Sequence, residues 1–301
     1  RTLYALVPSD VVPVMNGTHT TYSSTSIEKI EFPNGLKILL KEDHRLPFVQ
    51  LRAMFQGGVL AEKMVNCGVT QLMSKLLVKG TTSQTGQQIA EEIESVGGGI
   101  DAYGGNNSFG VTLEVMSDDI TLGVNMLANV LLNPSFPADA LERQREVQMA
   151  ALKAQDDKVL QKTFRLMREN LFGAHGYGLD ALGTEESVVG LNKDSVTGFH
   201  RVLAVPNNSV IAIFGDIKMS EVRADLERLF GLWAKGSQFK VPNLLYGTDG
   251  IRRVANQADK EQAVVVLGYR GCTFFDEDRY AWELLSEACS DLGSRLFMRI
   301  R

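Results

Sequence analysis

The chain has 301 residues, 44% of them hydrophobic and 22% charged, which is the composition of an ordinary globular protein of about two domains. Its 31 basic and 36 acidic residues give a formal charge of −5 and form no long run of either sign, so we expect no nucleic-acid partner. The cysteines Cys67, Cys272 and Cys289 are too far apart for a disulfide framework or a thiolate zinc site, and no apolar stretch reaches the roughly 18 residues of a transmembrane segment.

In chain order, the first predicted element is a hairpin. Residues 27–41 alternate apolar and polar side chains around Asn34 and Gly35, a pair typical of a two-residue turn in which both positions need positive φ. Further strands are predicted over 48–55, on both sides of the turn at 104–107, and over 209–214. The helical spacing of apolar residues predicts helices over 67–79, 85–96, 118–132, 137–172 with a break near 156–157, 192–203, 220–232, 279–289 and from 293 onward.

The order of these elements, strands followed by helices and then strands again, favours α+β layers over a regular alternation of strand and helix. Residues 235–250 are rich in Gly, Pro, Ser and Asn and are the best linker candidate. Beyond them, a strand predicted over 263–269 and the last two helices begin the pattern again. We therefore predict one complete domain over 27–240, followed by a linker and the start of a second domain over 241–301.

Taken from the residues alone, the chain shows no catalytic centre. The four histidines share no helical spacing that would let two of them chelate a metal, and surface or capping roles are expected for all four, His200 included. The glycine-rich stretch 97–105 lacks the lysine of a phosphate-binding loop, and there is no Gly-x-Ser-x-Gly motif for a nucleophilic serine. A histidine that lies close to Cys67 in space stays an open alternative.

One segment resembles a known family. Residues 68–81 contain Gln-Leu-Met-Ser-Lys, then Leu-Leu-Val and Lys-Gly-Thr. They are similar to the stretch of pitrilysin-type (M16) peptidases that carries His-x-x-Glu-His, followed by an apolar pair and Lys-Gly-Thr. In active members of that family, the two histidines bind zinc and the glutamate polarises the attacking water. The corresponding positions in this chain are Gln71, Lys75 and Ser74.

The flanks of this segment resemble the same family over nearly the whole chain. The matching stretches are Phe32-Pro-Asn-Gly-Leu-Lys-Ile-Leu, Gln56-Gly-Gly, residues 97–103, Asn133-Pro-Ser-Phe, Gly183-Thr-Glu-Glu-Ser, Pro206-Asn-Asn-Ser-Val and Ser294-Arg-Leu-Phe. The third zinc ligand of active members is a glutamate on a later helix, and the resemblance places the start of that pattern at Gln144 and the ligand position at Ala151. All three ligand positions have lost ligand chemistry, because alanine cannot bind zinc, glutamine binds it poorly and lysine binds it only in its neutral form.

The resemblance implies an M16/LuxS-like metallohydrolase fold, an α+β architecture in which an antiparallel sheet is flanked by helices, with one full repeat and the start of a second. It also implies a non-catalytic half that closes the proteolytic chamber and helps to bind peptide, while a partner half supplies the zinc and the catalytic glutamate. No cofactor or metal is then expected in this chain, which would be inactive alone. Residues 1–26 are interpreted as the end of a preceding zinc-bearing half and a linker.

The expected partners are the zinc-bearing half, in the same polypeptide or in another subunit, and a peptide or unfolded protein substrate. By the family's spacing, an arginine that hydrogen-bonds the substrate falls on Arg301, and an exposed helix-end charge is an equal alternative for this residue. A weaker candidate is the turn of Gly104, Gly105, Asn106 and Asn107, where a peptide strand could add to the sheet by main-chain pairing.

A second hypothesis is a purely structural or binding module of the same fold, like the respiratory-complex core subunits that lack proteolytic activity. A His-x-x-Glu-His motif upstream or in a neighbouring gene would favour the peptidase half, and its absence would favour the module. Bacterial relatives of the family suggest a periplasmic or envelope location.

Overall fold

A computed structural model gives the fold of residues 26–241, 250–257, 262–269, 271–290 and 293–300. Six strands form one sheet in the order β1-β2-β6-β3-β5-β4, so β1 and β4 are its edges. The strands are β1 (Glu28–Glu31), β2 (Lys37–Glu42), β3 (Phe48–Gln56), β4 (Gly99–Gly104), β5 (Ser108–Met116) and β6 (Ser209–Gly215).

The α-helices of the described residues lie close to the positions that the apolar spacing predicts, except for a short helix over Glu185–Gly190, which the spacing did not predict. They are α1 (Val69–Leu77), α2 (Gly86–Ser95), α3 (Ile120–Leu132), α4 (Ala138–Asp156), α5 (Val159–Phe172), α6 (Glu185–Gly190), α7 (Lys193–Leu203), α8 (Met219–Phe230), α9 (Arg279–Ser290) and α10 (Arg295–Ile300). The break predicted near 156–157 separates α4 from α5. In the part of the chain that the structure describes, no helix is long and apolar enough to cross a membrane.

One face of the sheet is buried under helices. In β3 every second residue is buried, as the two-residue period of a strand requires, and these residues are Val49, Leu51, Ala53 and Phe55. Helices α1, α2, α3 and α8 pack against the strands on this side. The side chains between the two layers form one continuous hydrophobic core, which stabilises the fold by removing apolar surface from water.

The predicted α+β fold with a sheet flanked by helices is confirmed, but the sheet is mixed rather than antiparallel. Strands β2 and β6 run parallel, in the register Ile38 opposite Ile211, whereas the other neighbouring pairs are antiparallel. The reason is geometric. Since β6 lies between β2 and β3, which run in opposite directions, it must be parallel to one of them.

The hairpin of β1 and β2 forms as predicted, but the predicted two-residue turn is wrong. Residues 32–36 connect the strands, and among them only Gly35 has a positive φ, of 83°. The Gly35 N–H donates to the Phe32 carbonyl and closes a four-residue turn. Glycine adopts this φ without strain, and it also leaves room, because a Cβ on Gly35 would lie 2.9 Å from the Cβ of Asn207.

The strand predicted over 263–269 is also wrong, since these residues have no regular secondary structure. A strand is stable only when a neighbouring strand accepts and donates its main-chain hydrogen bonds. Within the described residues no strand lies beside this segment, and Val265, Leu267 and Tyr269 are exposed. A local apolar pattern therefore did not suffice to form a strand.

Asn34 ties the first hairpin to the end of α8. Its side chain is buried, and Nδ2 donates to the carbonyls of Phe230 at 2.7 Å and Trp233 at 3.1 Å. Its Oδ1 accepts from the Leu36 N–H at 3.2 Å. One side chain thus satisfies three main-chain groups from two distant segments of the chain.

We expect Asn34→Ala to lower the free energy of unfolding by about 1–3 kcal/mol, because the buried Phe230 carbonyl loses its donor. Urea denaturation of the variant and the wild-type chain measures this difference. The matched control is Asn125→Ala, which removes an amide that bonds at the protein surface and should change stability by less than about 0.5 kcal/mol. Equal effects of the two substitutions would contradict the anchoring role of Asn34.

Candidate functional site

The positions that resemble a zinc motif lie on α1, where this helix packs against the edge strand β4. Gly104, the last residue of β4, makes the close packing possible. A Cβ at Gly104 would lie 2.9 Å from Ser74 Oγ and 3.0 Å from the Thr70 carbonyl oxygen. A larger residue at this position would therefore push the helix away from the edge of the sheet.

Lys75, at the second histidine position of the motif, reaches the edge of β4. Its Nζ donates to the carbonyl oxygen of Ala102 at 3.1 Å and lies 3.5 Å from Asp101 Oδ1. The Lys75 side chain is 42% exposed and that of Asp101 is 78% exposed. The cation therefore sits at the solvent boundary of the edge strand, where it bonds a main-chain carbonyl instead of a metal.

Ser74, at the position of the catalytic glutamate, is buried. Its hydroxyl donates to the carbonyl oxygen of Gln71 at 3.1 Å, one turn earlier in α1. Gln71 itself is partly exposed on the same helical face as Lys75. A buried hydroxyl engaged with its own helix cannot act as a carboxylate base.

Helix α4, which carries the position that resembles the third ligand, contacts α1. Gln148 is buried, and its Nε2 donates to the carbonyl oxygens of Gly68 at 3.1 Å and Leu182 at 2.8 Å. Gln144 and Ala151 lie four residues before and three residues after Gln148, so they share its face of α4. Gln148 thus joins α4 to the start of α1, whereas Lys75 lies at the edge of β4.

Glu62 is a buried residue of the site that the sequence did not indicate. Its carboxyl oxygens accept hydrogen bonds of 2.8 Å from the main-chain N–H groups of Gly68 and Thr70 at the start of α1. Burial raises the pKa of Glu62 from its ordinary value of 4.5 to about 7, and these N–H groups oppose the shift. No local pattern marks Glu62, because it lies outside the helix that it caps.

Cys67 does not have the environment of a nucleophile. Its Sγ donates to the Asp180 carbonyl at 3.2 Å, and the side chain is buried. Burial raises the pKa of the Cys67 thiol to about 12, and the carboxylates of Glu62 and Asp180 add to the shift. The thiol is therefore not ionised at neutral pH, and the open alternative of a cysteine nucleophile has no support.

The residues present do not fit zinc. The zinc-motif positions are occupied by an amide, a hydroxyl, an ammonium and a methyl group, and the ammonium is bonded to a carbonyl oxygen. In the described ranges, no three His, Cys, Asp or Glu side chains lie close enough together to hold a metal ion.

The four candidate peptide-binding residues, Gly104, Gly105, Asn106 and Asn107, lie at and after the end of β4, but the main chain of this turn is already engaged. The carbonyl oxygens of residues 105, 106 and 107 accept from the N–H groups of residues 59, 60 and 57. The Asn107 side chain also accepts from the hydroxyl of Tyr177 at 2.8 Å. β4 itself is an edge strand of the sheet that the described residues form. The other candidate, Arg301, lies outside the described residues.

Two family models match the chain. The model of insulinase (peptidase family M16) matches residues 37–185, and that of the peptidase M16 inactive domain matches residues 190–301. A protein of Mycobacterium leprae described as an uncharacterised zinc protease is 27% identical over 92% of this chain. The chain spans 63% of the length of that relative.

Solved structures of low sequence identity share the fold. A peptidase M16 inactive domain from Pseudomonas fluorescens has a TM-score of 0.68 and 24% identity, over 72% of this chain and 53% of that one. The first half of the periplasmic protease PqqL from Escherichia coli has a TM-score of 0.66 and 16% identity, over 74% of this chain and 49% of that one. These likenesses describe architecture alone.

The raised pKa of Glu62 predicts a pH dependence of stability. Between pH 4.5 and about 7 the unfolded chain loses a proton that the folded chain keeps, so the contribution of Glu62 falls as pH rises through this window. Relative to Glu62→Gln, whose side chain does not titrate, we expect the free energy of unfolding of the wild-type chain to fall by about 3 kcal/mol across this window. Urea denaturation of both proteins at a series of pH values measures the difference.

His200 has to be considered in the same experiment. It is buried, whereas a surface or capping role was expected. Burial lowers the pKa of His200 to about 4. The contribution of His200 to the free energy of unfolding is therefore lost as pH falls from 6.5 toward 4. This opposite slope cancels when Glu62→Gln is compared with the wild-type chain. If the difference in free energy of unfolding between the two proteins stays constant from pH 4.5 to 7, the pH dependence does not come from Glu62.

Proposed function

This chain belongs to the M16 family of peptidases, and from that premise we propose that it is the non-catalytic half of a zinc metallopeptidase. In this proposal it closes the proteolytic chamber and helps to bind peptide, while another half supplies zinc and the catalytic glutamate. The observation that carries the proposal is the Lys75 ammonium bonded to the Ala102 carbonyl at a zinc-ligand position.

In this proposal the chain lacks the chemistry of a zinc site but keeps its framework of helices and strands. A zinc peptidase needs ligands that bind as neutral or anionic donors and a base for the attacking water. Gln71, Lys75, Ala151 and Ser74 supply neither. The packing of α1 on β4 and α4 is nevertheless complete, with Gln148 and Glu62 bonded to the start of α1. A half that keeps this helix and strand packing without zinc ligands or a base is suited to form a wall of the chamber.

Peptide binding is proposed for the edge of β4. An edge strand presents unpaired main-chain groups to which an extended peptide adds with little regard for its sequence. That property suits unfolded substrates of varied sequence. The division into a domain at 27–240 and the start of a second at 241–301 is part of the same proposal, as is the role of Arg301.

Zinc is expected in the partner half, because this half lacks the ligands and the M. leprae relative is described as a zinc protease. The partner is either another part of the same polypeptide or a separate subunit. The alternative of a purely structural module makes the opposite prediction about activity, so one assay separates the two.

The test is a cleavage assay of an internally quenched unfolded peptide by this chain mixed with the His-x-x-Glu-His half from the same gene or its neighbour. We expect the mixture to cleave at least about ten times faster than either half alone, because a preorganised chamber holds the peptide against the zinc. A zinc chelator should abolish the rate.

The matched control replaces the motif glutamate of the zinc half by glutamine, which should remove activity without preventing assembly. Full activity of the zinc half alone would contradict the proposal, as would a mixture that assembles without cleaving. Chelator-sensitive cleavage by this chain alone would contradict its non-catalytic role.

A further inference from the structure

We propose that Lys75 gives the edge of β4 a preference for extended peptides that carry a carboxylate side chain opposite Ala102. The inference rests on the proposed function, in which a peptide adds to this edge. It assigns a specificity-determining role to a residue that stands where the family has a zinc ligand.

The main chain of Ala102 faces the free edge. The Gly105 N–H donates to the Ser108 carbonyl oxygen, which makes these two residues a hydrogen-bonded pair of the hairpin. Hydrogen-bonded and non-hydrogen-bonded pairs alternate along an antiparallel ladder, so Ala102, opposite Val111, belongs to a non-hydrogen-bonded pair. Its N–H and carbonyl groups therefore point away from β5, toward an incoming strand.

The side chain of a peptide residue opposite Ala102 would point toward α1. Directly opposed residues of neighbouring strands place their side chains on the same face of the sheet. The Ala102 side chain is buried, on the face that α1 covers. A peptide side chain at this position would thus enter the space beside the Lys75 ammonium, which lies 3.1 Å from the Ala102 carbonyl oxygen.

The ammonium has capacity for a further partner. A lysine ammonium has three N–H donors, and within the described residues Lys75 bonds the Ala102 carbonyl and lies 3.5 Å from Asp101. A carbonyl oxygen has two lone pairs, so Ala102 can keep Lys75 while it accepts from a peptide N–H. A peptide carboxylate at this point then forms an ion pair, whereas an uncharged amide of the same size accepts a hydrogen bond from the ammonium without the attraction between opposite charges.

Asp101 is the competing charge. It is 78% exposed and close to the same ammonium, so it weakens the attraction for a second carboxylate. Removal of this charge should therefore increase the preference for an acidic peptide. Substitutions at Lys75 and at Asp101 should therefore change the preference for an acidic peptide in opposite directions.

The experiment uses two fluorescein-labelled peptides of Thr, Val and Ser that differ at one central position, Glu in one and Gln in the other. Fluorescence anisotropy gives the dissociation constant of each peptide with the 301-residue chain. We expect the wild-type chain to bind the Glu peptide about threefold more tightly than the Gln peptide, which is the effect of a partly exposed ion pair. The ratio of the two dissociation constants, Gln peptide over Glu peptide, should fall toward one in high salt.

Four variants test the assignment. Lys75→Met should bring the ratio to about one, Lys75→Arg should keep it, and Asp101→Asn should raise it. Lys79→Met removes an exposed lysine just after α1 and should leave the ratio unchanged. Thermal unfolding followed by circular dichroism confirms that each variant is folded.

The outcomes separate the inference from the proposed function. If the wild-type chain binds both peptides equally, or if the preference survives Lys75→Met, the inference is overturned while peptide binding stands. If the wild-type chain binds neither peptide, both the inference and the peptide-binding part of the proposed function are overturned. The cleavage assay of the two mixed halves still tests chamber closure independently.

Discussion

The contact between α1 and the edge strand β4 determines the geometry of the candidate site. It depends on Gly104, whose missing Cβ lets Ser74 and Thr70 approach the strand. Because the helix lies this close, the Lys75 side chain reaches the main chain of Ala102. The location of the cation at the edge and the burial of Ser74 both follow from this one approach.

Buried polar groups hold the start of α1 in place. Glu62 bonds two N–H groups of its first turn, and Gln148 bonds the Gly68 carbonyl from α4. Desolvation of Glu62 costs free energy, which is visible in its raised pKa, but the helix start gains acceptors that water cannot supply there. The same burial keeps Cys67 protonated, so this polar cluster supports the helix and has no nucleophile.

The site therefore differs from a zinc peptidase in chemistry and resembles it in construction. At the edge of β4 the surface carries the charge pair of Lys75 and Asp101. A main-chain edge beside a cation is suited to recognition of an extended chain, and it requires no metal.

The sequence by itself determined the position of nearly every helix and strand over 27–232, because periodic burial of apolar side chains leaves a local pattern. It also determined that Gln71, Lys75 and Ala151 offer no good zinc ligand, because ligand chemistry depends on residue type. Only the tertiary structure decided that β6 lies between β2 and β3 and that the segment 263–269 forms no strand, since both depend on the neighbours of a strand. It alone showed Glu62 at the start of α1 and Lys75 on the Ala102 carbonyl, because such contacts join residues with no common local pattern.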